Sequence, residues 1–406
     1  MEKNEKKKEY KVKKPSFWLY TLPAYLLRPY FKFKWNHKVD RKGIKGVKSP
    51  VLAIANHCST IDVILTLQTL LPKKYNIVAG RDLFTWPALK PFIRKFGAIP
   101  KSQFSIDLAA MRTMKTATDD GLNVLIYPEG KTSLDGRQAY LAPAIAKFIK
   151  FMDCNVVMVH TVGAYLTRPR YTKGFRKGRV ETKAYVLFTQ EQVRSLSNKE
   201  IYDGVCKAME YNDHVWQREN NIRFASEAPA ANLNYLLYKC PKCGAEYENE
   251  SDGKVITCLS CGNKAEYTEY GEIKPVGDSK VFDRIDLWYD FQKEAVTEEL
   301  KKGNFEISKE VTLLYEDVLD ASFKEAGEGT LTIKDGEIFY IGTKDGEPFE
   351  MRQSLASMST IVTKNSEGVD LTSKETIYRF LFKEHKWSVK YGLIVEQNFA
   401  LNNGLV

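Results

Sequence analysis

The sequence has no uninterrupted apolar run near the roughly 18–20 residues that a membrane-spanning helix needs. It shows no secretory signal, so we expect a reducing, cytosolic environment. It also lacks a basic excess beyond residue 50: residues 1–50 carry a net charge of +11, and the remaining 356 residues sum to −1. A charge excess confined to one end argues against nucleic-acid binding and for one anchored contact with an anionic surface.

What the chain does have is enough apolar material for several cores. Its 406 residues are 43% hydrophobic and 12% aromatic, which favours two or three folded domains. The pattern divides into a basic aromatic arm (1–40), an α/β domain (41–230), a cysteine module (236–272) and a β-rich domain (280–406).

The arm combines aromatic rings with cations. Eight aromatic residues lie between Phe17 and Trp35. The cations among them are Arg28, Lys32 and Lys34, and the residues that interrupt the segment as a membrane span are Pro23, Arg28 and Pro29. This composition predicts a helical arm at the interface of an anionic membrane. The alternative is an aromatic helical hairpin packed on the protein's own core.

Short apolar strands alternate with helical patterns between residues 41 and 230, which predicts an α/β fold. Strands are expected at 51–55, 76–79, 96–100, 123–127 and 155–159. Helices are expected at 61–71, 105–120, 140–152 and 198–221. Polar groups follow the ends of several strands, where α/β sheets usually place their sites.

The first of these polar groups are Asn56 and His57, directly after the apolar strand at 51–55, with Asp62 five residues beyond the histidine. A helix capped by Ser59 or Thr60 would bring Asp62 within reach of the imidazole. Such a pair suits general-base chemistry, because the acid orients the ring and the second ring nitrogen accepts a proton. Taken alone, so short a spacing fits a histidine held by a local cap better than a catalytic pair.

Two further loops carry polar groups. Residues 127–133 include Glu129 and Gly130, followed by Lys131, Thr132 and Ser133, an ammonium and two hydroxyls suited to holding a phosphate. Residues 97–101 end a strand and deliver Lys101.

Taken in order, these three blocks resemble the glycerolipid acyltransferase family typified by 1-acylglycerol-3-phosphate acyltransferase. The first block is the His-x4-Asp motif of His57 and Asp62, the second begins at Gly97, and the third contains Glu129 and Gly130. The resemblance covers roughly residues 15–225. It implies an acyltransferase-type mixed sheet flanked by helices.

The resemblance also implies a reaction. His57 would deprotonate a substrate hydroxyl, oriented by Asp62, and the hydroxyl would attack the thioester of acyl-CoA or acyl carrier protein. The residues implied on the acceptor side are Asn56, Ser59, Lys101, Glu129, Gly130, Lys131, Thr132 and Ser133. The acceptor would be a lysophospholipid, with 1-acylglycerol-3-phosphate as first choice and phosphatidic acid as product.

The chain departs from the family pattern on the acceptor side. Gln103 stands where the second block usually has an arginine, and Lys131 and Thr132 stand where the third usually has threonine and arginine. Lys101 and Lys131 are the nearest substitutes, although lysine lacks the bidentate fork of arginine. A different lysolipid acceptor, or a non-catalytic lipid-binding or scaffold protein on this fold, are the alternatives.

A basic stretch lies between residues 168 and 179. Its cations are Arg168, Arg170, Lys173, Arg176, Lys177 and Arg179. It fits contact with lipid headgroups or a CoA phosphate, and equally a solvated loop.

Four of the seven cysteines form two C-x2-C pairs, Cys240 with Cys243 and Cys258 with Cys261. Gly244 and Gly262 follow the pairs and permit tight turns. This pattern predicts a zinc ribbon with four sulfur ligands and no open position, hence a structural metal. Iron is the alternative metal, and disulfides are disfavoured by the expected compartment.

The last segment predicts a helix at 282–302, a series of strands, and a closing helix at 387–399. The strands are expected at 330–333, 337–341, 359–363, 367–371 and 376–382. Asp335-Gly336 and Asp345-Gly346 predict hairpin turns. Strands closed by one helix resemble a small β-barrel of the pleckstrin-homology or GRAM type, although no dense basic loop commits this one to lipid. We expect the whole protein to be peripheral on the cytoplasmic face of the cell membrane.

Overall fold

The computed structural model describes residues 12–86, 89–105, 107–172, 174–317, 322–373 and 376–406. Its helices are α1 (Leu22–Trp35), α2 (Asp62–Leu70), α3 (Lys90–Ile93), α4 (Leu108–Asp119), α5 (Ala144–Met152), α6 (Ala164–Thr167), α7 (Gln190–Ser195), α8 (Asn198–Met209), α9 (Asp213–Asn220), α10 (Leu233–Leu236), α11 (Ile285–Lys301) and α12 (Ser388–Asn402). Its strands are β1 (Lys38–Gly43), β2 (Val51–Ala55), β3 (Tyr75–Gly80), β4 (Ile99–Lys101), β5 (Asn123–Ile126), β6 (Asn155–Val162), β7 (Glu181–Phe188), β8 (Asn249–Ser251), β9 (Val255–Cys258), β10 (Lys264–Tyr267), β11 (Ile273–Pro275), β12 (Glu306–Asp317), β13 (Ser322–Lys334), β14 (Glu337–Lys344), β15 (Glu347–Ser354), β16 (Val362–Lys364), β17 (Gly368–Ser373) and β18 (Thr376–Phe382).

The first sheet has the order β1-β7-β6-β2-β5-β3-β4 and is parallel except for the β6–β7 pair. The predicted α/β class with a mixed sheet is therefore confirmed. The apolar run of β2 occupies the middle of this sheet, and all five of its residues are buried. Continuous burial on both faces explains why β2 contains no alternating polar residue.

Two parts of this domain differ from the prediction. The edge strand β1 and its neighbour β7 were not expected, because β1 is mostly charged and β7 begins with charged residues among apolar ones. The single helix expected at 198–221 is two helices, since α8 ends before Asn212, which caps α9 with its side chain.

The arm is a π-helical turn (Phe17–Thr21) that leads into α1. The helix continues through Pro29, so the described part of the arm forms no hairpin. Phe31 and Trp35 are buried against the α/β domain, whereas the arm also exposes large apolar side chains: Phe17, Trp18, Tyr25, Leu26, Leu27, Tyr30 and Phe33. Within the described residues, every helix is too short or too polar to cross a membrane.

The cysteine module is a four-stranded antiparallel sheet in the order β11-β10-β9-β8. The C-terminal segment is a seven-stranded antiparallel sheet, β15-β14-β13-β12-β18-β17-β16, followed by α12. Both predicted Asp-Gly turns are confirmed, since Asp335, Gly336, Asp345 and Gly346 all have positive φ. The strands β12 and β15 were not predicted, and closure of this sheet into a barrel stays a prediction.

The cysteine module and the C-terminal segment share one apolar core. Ile256 and Tyr267 from the module lie in the same buried cluster as Trp288, Leu313 and Tyr391. The core of the α/β domain is separate and centres on β2, β5 and β6.

Candidate active site

His57 lies just beyond the central strand of the first sheet. Because β2 is paired on both sides, its carboxyl end has a fixed position. Asn56 then ties the chain to β6: its side-chain amide donates to the Thr161 carbonyl at 2.7 Å and accepts from the Thr161 N–H at 2.8 Å. Both the nitrogen and the oxygen of the Asn56 amide are therefore engaged by the backbone of β6.

Asp62 begins α2 and also organises the turn before it. The expectation that Ser59 or Thr60 caps this helix is wrong, because no side chain provides an N-cap bond there. Instead, Asp62 Oδ2 accepts the backbone N–H of Ser59 at 2.9 Å. The carboxylate that faces the histidine therefore also closes the turn that separates them.

His57 and Asp62 form a close pair. The imidazole Nδ1 lies 3.1 Å from each carboxylate oxygen of Asp62. Asp62 is fully buried, whereas the side chain of His57 is 18% exposed. The other ring nitrogen, Nε2, lies 3.3 Å from Thr132 Oγ1. Because the carboxylate keeps the proton on Nδ1, Nε2 is the nitrogen left to accept one from a substrate.

The surroundings tune this pair. Burial opposes protonation of His57, but the charge and hydrogen bonds of Asp62 outweigh it and hold the pKa of the imidazole above its ordinary value. Burial raises the pKa of the neighbouring Cys58 thiol well above its usual range. A thiol kept in its neutral form is a poor nucleophile, which agrees with a site that uses the histidine alone.

Glu129 supports the motif from the opposite loop. Its Oε1 accepts the backbone N–H of His57 at 2.7 Å, and its Oε2 accepts that of Ala139 at 2.8 Å. Burial raises the pKa of Glu129 to about 7, although these two N–H groups and His57 pull it down. One oxygen thus fixes the backbone of His57, and the other fixes that of Ala139 in the loop after Glu129.

The other residues predicted on the acceptor side have varied positions. Ser59 donates to the Arg168 carbonyl, and Ser133 organises the turn up to Arg137. Lys101 donates to the carbonyls of its own loop, Ser102 and Ser105. Gly130 has φ +69°, and a Cβ there would lie 2.9 Å from the ring of Phe104.

Lys131 and Thr132 make contacts outside their own loop that bear on the site. Thr132 alone places a side-chain oxygen beside His57 Nε2. Lys131 extends away and binds Thr360 and Glu396 of the C-terminal segment. Lys131 and Glu396 are 265 residues apart, so no local sequence pattern could predict that they pair.

Two nearby side chains were not among the predicted binding residues. Gln103, at the place where an arginine was expected, donates to the Gly130 carbonyl at 2.8 Å. Arg170, from the basic stretch, acts electrostatically on His57 and lowers its pKa. Only the density of cations between 168 and 179 hinted at such a residue.

The four clustered cysteines form a second site. Their sulfurs lie within 4.8 Å of one another, with 3.8 Å between Cys240 and Cys261 and between Cys243 and Cys258. A tetrahedron with metal–sulfur bonds of about 2.3 Å has edges of about 3.8 Å, so the arrangement fits one ion. All four are free of disulfides, and Gly244 and Gly262 have positive φ, as the predicted tight turns require.

Comparison with known proteins identifies one domain. A sequence model of the acyltransferase family matches residues 32–181, the range that contains His57, Asp62 and Glu129. Comparison with curated proteins finds no match.

Two solved structures are similar in part. The 1-acyl-sn-glycerophosphate (LPA) acyltransferase PlsC from Thermotoga maritima is 18% identical and covers 51% of this chain and 81% of its own, with a TM-score of 0.41. The Ran binding domain of the nuclear complex component Nup2 from Ashbya gossypii is 15% identical and covers 24% of this chain and 97% of its own, with a TM-score of 0.19. Both scores are below 0.5, so neither likeness bears on function.

Proposed function

We propose that this chain, whose residues 32–181 match the acyltransferase family, transfers an acyl group from a thioester donor to the hydroxyl of a lysophospholipid. The family match supports acyltransferase activity, and the choice of donor and acceptor is the proposed step. The donor is acyl-CoA or acyl carrier protein. The acceptor proposed first is 1-acylglycerol-3-phosphate, which gives phosphatidic acid.

His57 is the general base of the proposed reaction. Its Nε2 takes the proton of the acceptor hydroxyl while that oxygen attacks the thioester carbonyl. When the tetrahedral intermediate collapses, the C–S bond breaks and the leaving thiolate receives the proton from His57. Asp62 orients the ring and stabilises the imidazolium that exists between these two transfers.

The observation that carries the proposal is the approach of both Asp62 oxygens to His57 Nδ1, at 3.1 Å each. Asp62 is fully buried, and within the described residues its carboxylate otherwise accepts the backbone N–H of Ser59. Keeping a carboxylate out of water is costly unless it has such partners. A histidine that only capped a turn would not require a buried carboxylate beside its ring.

The second candidate is a lipid-binding scaffold without activity. It is favoured by the acceptor side, where Lys131 pairs with Glu396 and Gln103 with a backbone carbonyl. Both side chains are then engaged within the protein.

A thioester-release assay with the full chain separates the two. Donor and enzyme are mixed with 1-acylglycerol-3-phosphate, lysophosphatidylcholine, lysophosphatidylglycerol or monoacylglycerol, and free thiol and ester product are measured. We expect acceptor-dependent thiol release, fastest with 1-acylglycerol-3-phosphate. Preference for another lysolipid would change the assigned acceptor, whereas lipid binding with no thiol released from the donor in the presence of any acceptor would support the scaffold.

The arm supports a peripheral location at the cytoplasmic face of the cell membrane. Its exposed aromatic and aliphatic side chains include Trp18 and Phe33, which are 72% and 79% exposed. Exposed cations lie among them, and Lys177 sits 5.4 Å from the Phe33 ring. Apolar rings beside cations suit the headgroup region of an anionic bilayer.

Vesicle co-sedimentation tests this location. Replacing Trp18 and Phe33 together by alanine is expected to weaken binding to phosphatidylglycerol-containing vesicles by at least about 10-fold, because burial of each large ring contributes about 1.5–3 kcal/mol. Binding should also fall as salt rises. Phe151→Ala removes an exposed ring from α5 and serves as the control. Equal binding by the double variant and the wild type would contradict the membrane contact.

The four cysteines are proposed to hold a structural zinc ion. Four thiolates leave no ligand position for substrate, so the ion would stabilise the module and take no part in acyl transfer.

A further inference from the structure

The C-terminal segment contacts the loops around His57. Residues 360–364 approach the α/β domain, as Thr360 binds Lys131 at 2.8 Å and the Thr363 carbonyl accepts from Arg170 at 2.6 Å. Lys364 at the end of β16 adds an ion pair to Asp82 at 2.9 Å. One short segment of the C-terminal domain thus meets two cations of the acyltransferase domain.

Lys131 is the first of these cations. It precedes Thr132, whose hydroxyl lies 3.3 Å from His57 Nε2. Its side chain is only 11% exposed and pairs with the carboxylate of Glu396 from α12, which Thr360 also contacts at 2.7 Å. A carboxylate from elsewhere in the chain is therefore paired with Lys131, which directly precedes the threonine beside the proposed base.

Arg170 is the second cation. The loop that carries it is tied to the His57 motif, because Ser59 donates to the Arg168 carbonyl at 2.9 Å. Burial lowers the pKa of Arg170 to about 10, and its charge is felt at His57. In the described part of the chain no carboxylate pairs with Arg170, and its guanidinium hydrogen bonds to Thr363 alone.

A partly buried guanidinium without an anion beside it is an unfavourable arrangement unless a ligand completes it. An acceptor with a phosphate brings such an anion, and a planar guanidinium with five donors matches it better than an ammonium does. The place expected for an acceptor-binding arginine is taken by Gln103, whose amide is used on Gly130. Gln103 therefore offers the phosphate no cation at that place, and Arg170 from another loop can supply one.

We propose that Arg170 and Lys131 together bind the anionic group of the acceptor, and that Glu396 of α12 holds Lys131 until the acceptor displaces it. This inference rests on the proposed function and names the residues that recognise its substrate. It gives the C-terminal domain a role in the site: Thr363 positions Arg170, and Glu396 competes for Lys131.

The test compares acceptors with and without phosphate. Arg170→Ala is expected to raise KM for 1-acylglycerol-3-phosphate by about 10- to 100-fold, the range for losing charged hydrogen bonds. KM for monoacylglycerol should change by less than about threefold, and kcat should change little with either acceptor at a pH where His57 is deprotonated in both proteins, since loss of the Arg170 charge raises the pKa of His57. Arg170→Lys should recover part of the loss, since it keeps the charge without the fork.

Glu396→Gln tests the competing carboxylate. Removing its charge is expected to lower KM for the phosphate acceptor by several-fold, because the acceptor no longer displaces an ion pair. Arg194→Ala and Glu347→Gln, both exposed and remote in sequence from the site, are the matched controls. An unchanged or raised KM in Glu396→Gln would overturn the competition between Glu396 and the acceptor.

Equilibrium binding keeps this inference separate from the proposed reaction. A soluble short-chain 1-acylglycerol-3-phosphate is titrated into wild type, Arg170→Ala, Arg170→Lys and Glu396→Gln. Turnover by the wild type with unchanged KM and affinity in the Arg170 variants would overturn the inference and leave the enzyme intact. If no acceptor is turned over, the reaction fails, and the binding titration alone decides on Arg170. If Arg170→Ala does not fold, Arg170→Lys decides, with unaltered affinity counting against the proposal.

Discussion

His57→Ala is expected to lower kcat for acyl transfer by about 10²–10⁴-fold, the usual contribution of a positioned general base. The variant loses the imidazole whose Nε2 lies 3.3 Å from Thr132 Oγ1 and is left to accept the substrate proton. KM for the acceptor should change little, because the proposed phosphate contacts come from Arg170 and Lys131. Initial rates of thiol release over a range of acceptor concentrations separate the two effects.

A histidine of no expected role provides the control. His385 is exposed in the loop after β18, and His385→Ala should behave as wild type. Comparable kcat values for His57→Ala and wild type would remove the catalytic assignment. Thermal unfolding of each variant must accompany the rates, because His57→Ala leaves a buried Asp62 without its imidazole partner.

The same pair sets the pH dependence. A general base works only when deprotonated, so the rate should fall as pH drops through the pKa of His57, which Asp62 holds above the ordinary value of 6.5. In Asp62→Asn the raising influence is lost, and burial together with the charge of Arg170 lowers that pKa. The acid limb of the profile should therefore move to lower pH, while the maximal rate falls because the imidazolium loses its stabilising charge. An acid limb that stays in place would mean that another group controls it.

The sequence predicted the His57–Asp62 pair at the centre of this site but few of the contacts around the pair. The run 51–55 predicted β2 because a strand buried on both faces is continuously apolar, and its end placed His57 correctly. The distance between His57 and Asp62 also followed from local geometry. The predicted cap by Ser59 was wrong, because Asp62 accepts hydrogen bonds from both the Ser59 N–H and the His57 ring. Local spacing does not predict that one carboxylate has both roles.

Contacts between distant segments lay beyond the sequence pattern. The pairing of Lys131 with Glu396 depends on how two cores pack, which no local spacing encodes. Arg170 was one of several cations in a stretch whose composition fitted a solvated loop as well as a phosphate contact. Glu129 appeared as a candidate ligand for the acceptor, and its two backbone hydrogen bonds could be assigned only with β2 and β5 side by side.

Removal of the metal from the cysteine cluster is the other change with a large expected effect. Structural zinc contributes an apparent free energy of about 10–16 kcal/mol in small zinc domains, comparable with the total stability of about 5–15 kcal/mol of a typical protein. Because the module's sheet is small, we expect its folding to depend on that contribution. Because Ile256 and Tyr267 share a buried cluster with Trp288 and Leu313, unfolding of the module exposes part of the C-terminal core.

Cys258→Ser is therefore expected to abolish stoichiometric metal binding and to lower the Tm of the C-terminal unfolding transition by more than about 10 °C, since each kcal/mol shifts Tm by about 2–4 °C in domains of this size. A chelator should have the same effect on the wild type. Elemental analysis gives the metal content and distinguishes zinc from iron, and calorimetry gives the transitions. Cys206→Ser changes a cysteine of α8 outside the cluster and is the control. A Cys258→Ser protein with wild-type metal content and Tm would contradict the metal site, whereas loss of metal with an unchanged Tm would show that the shared core holds the module together without it.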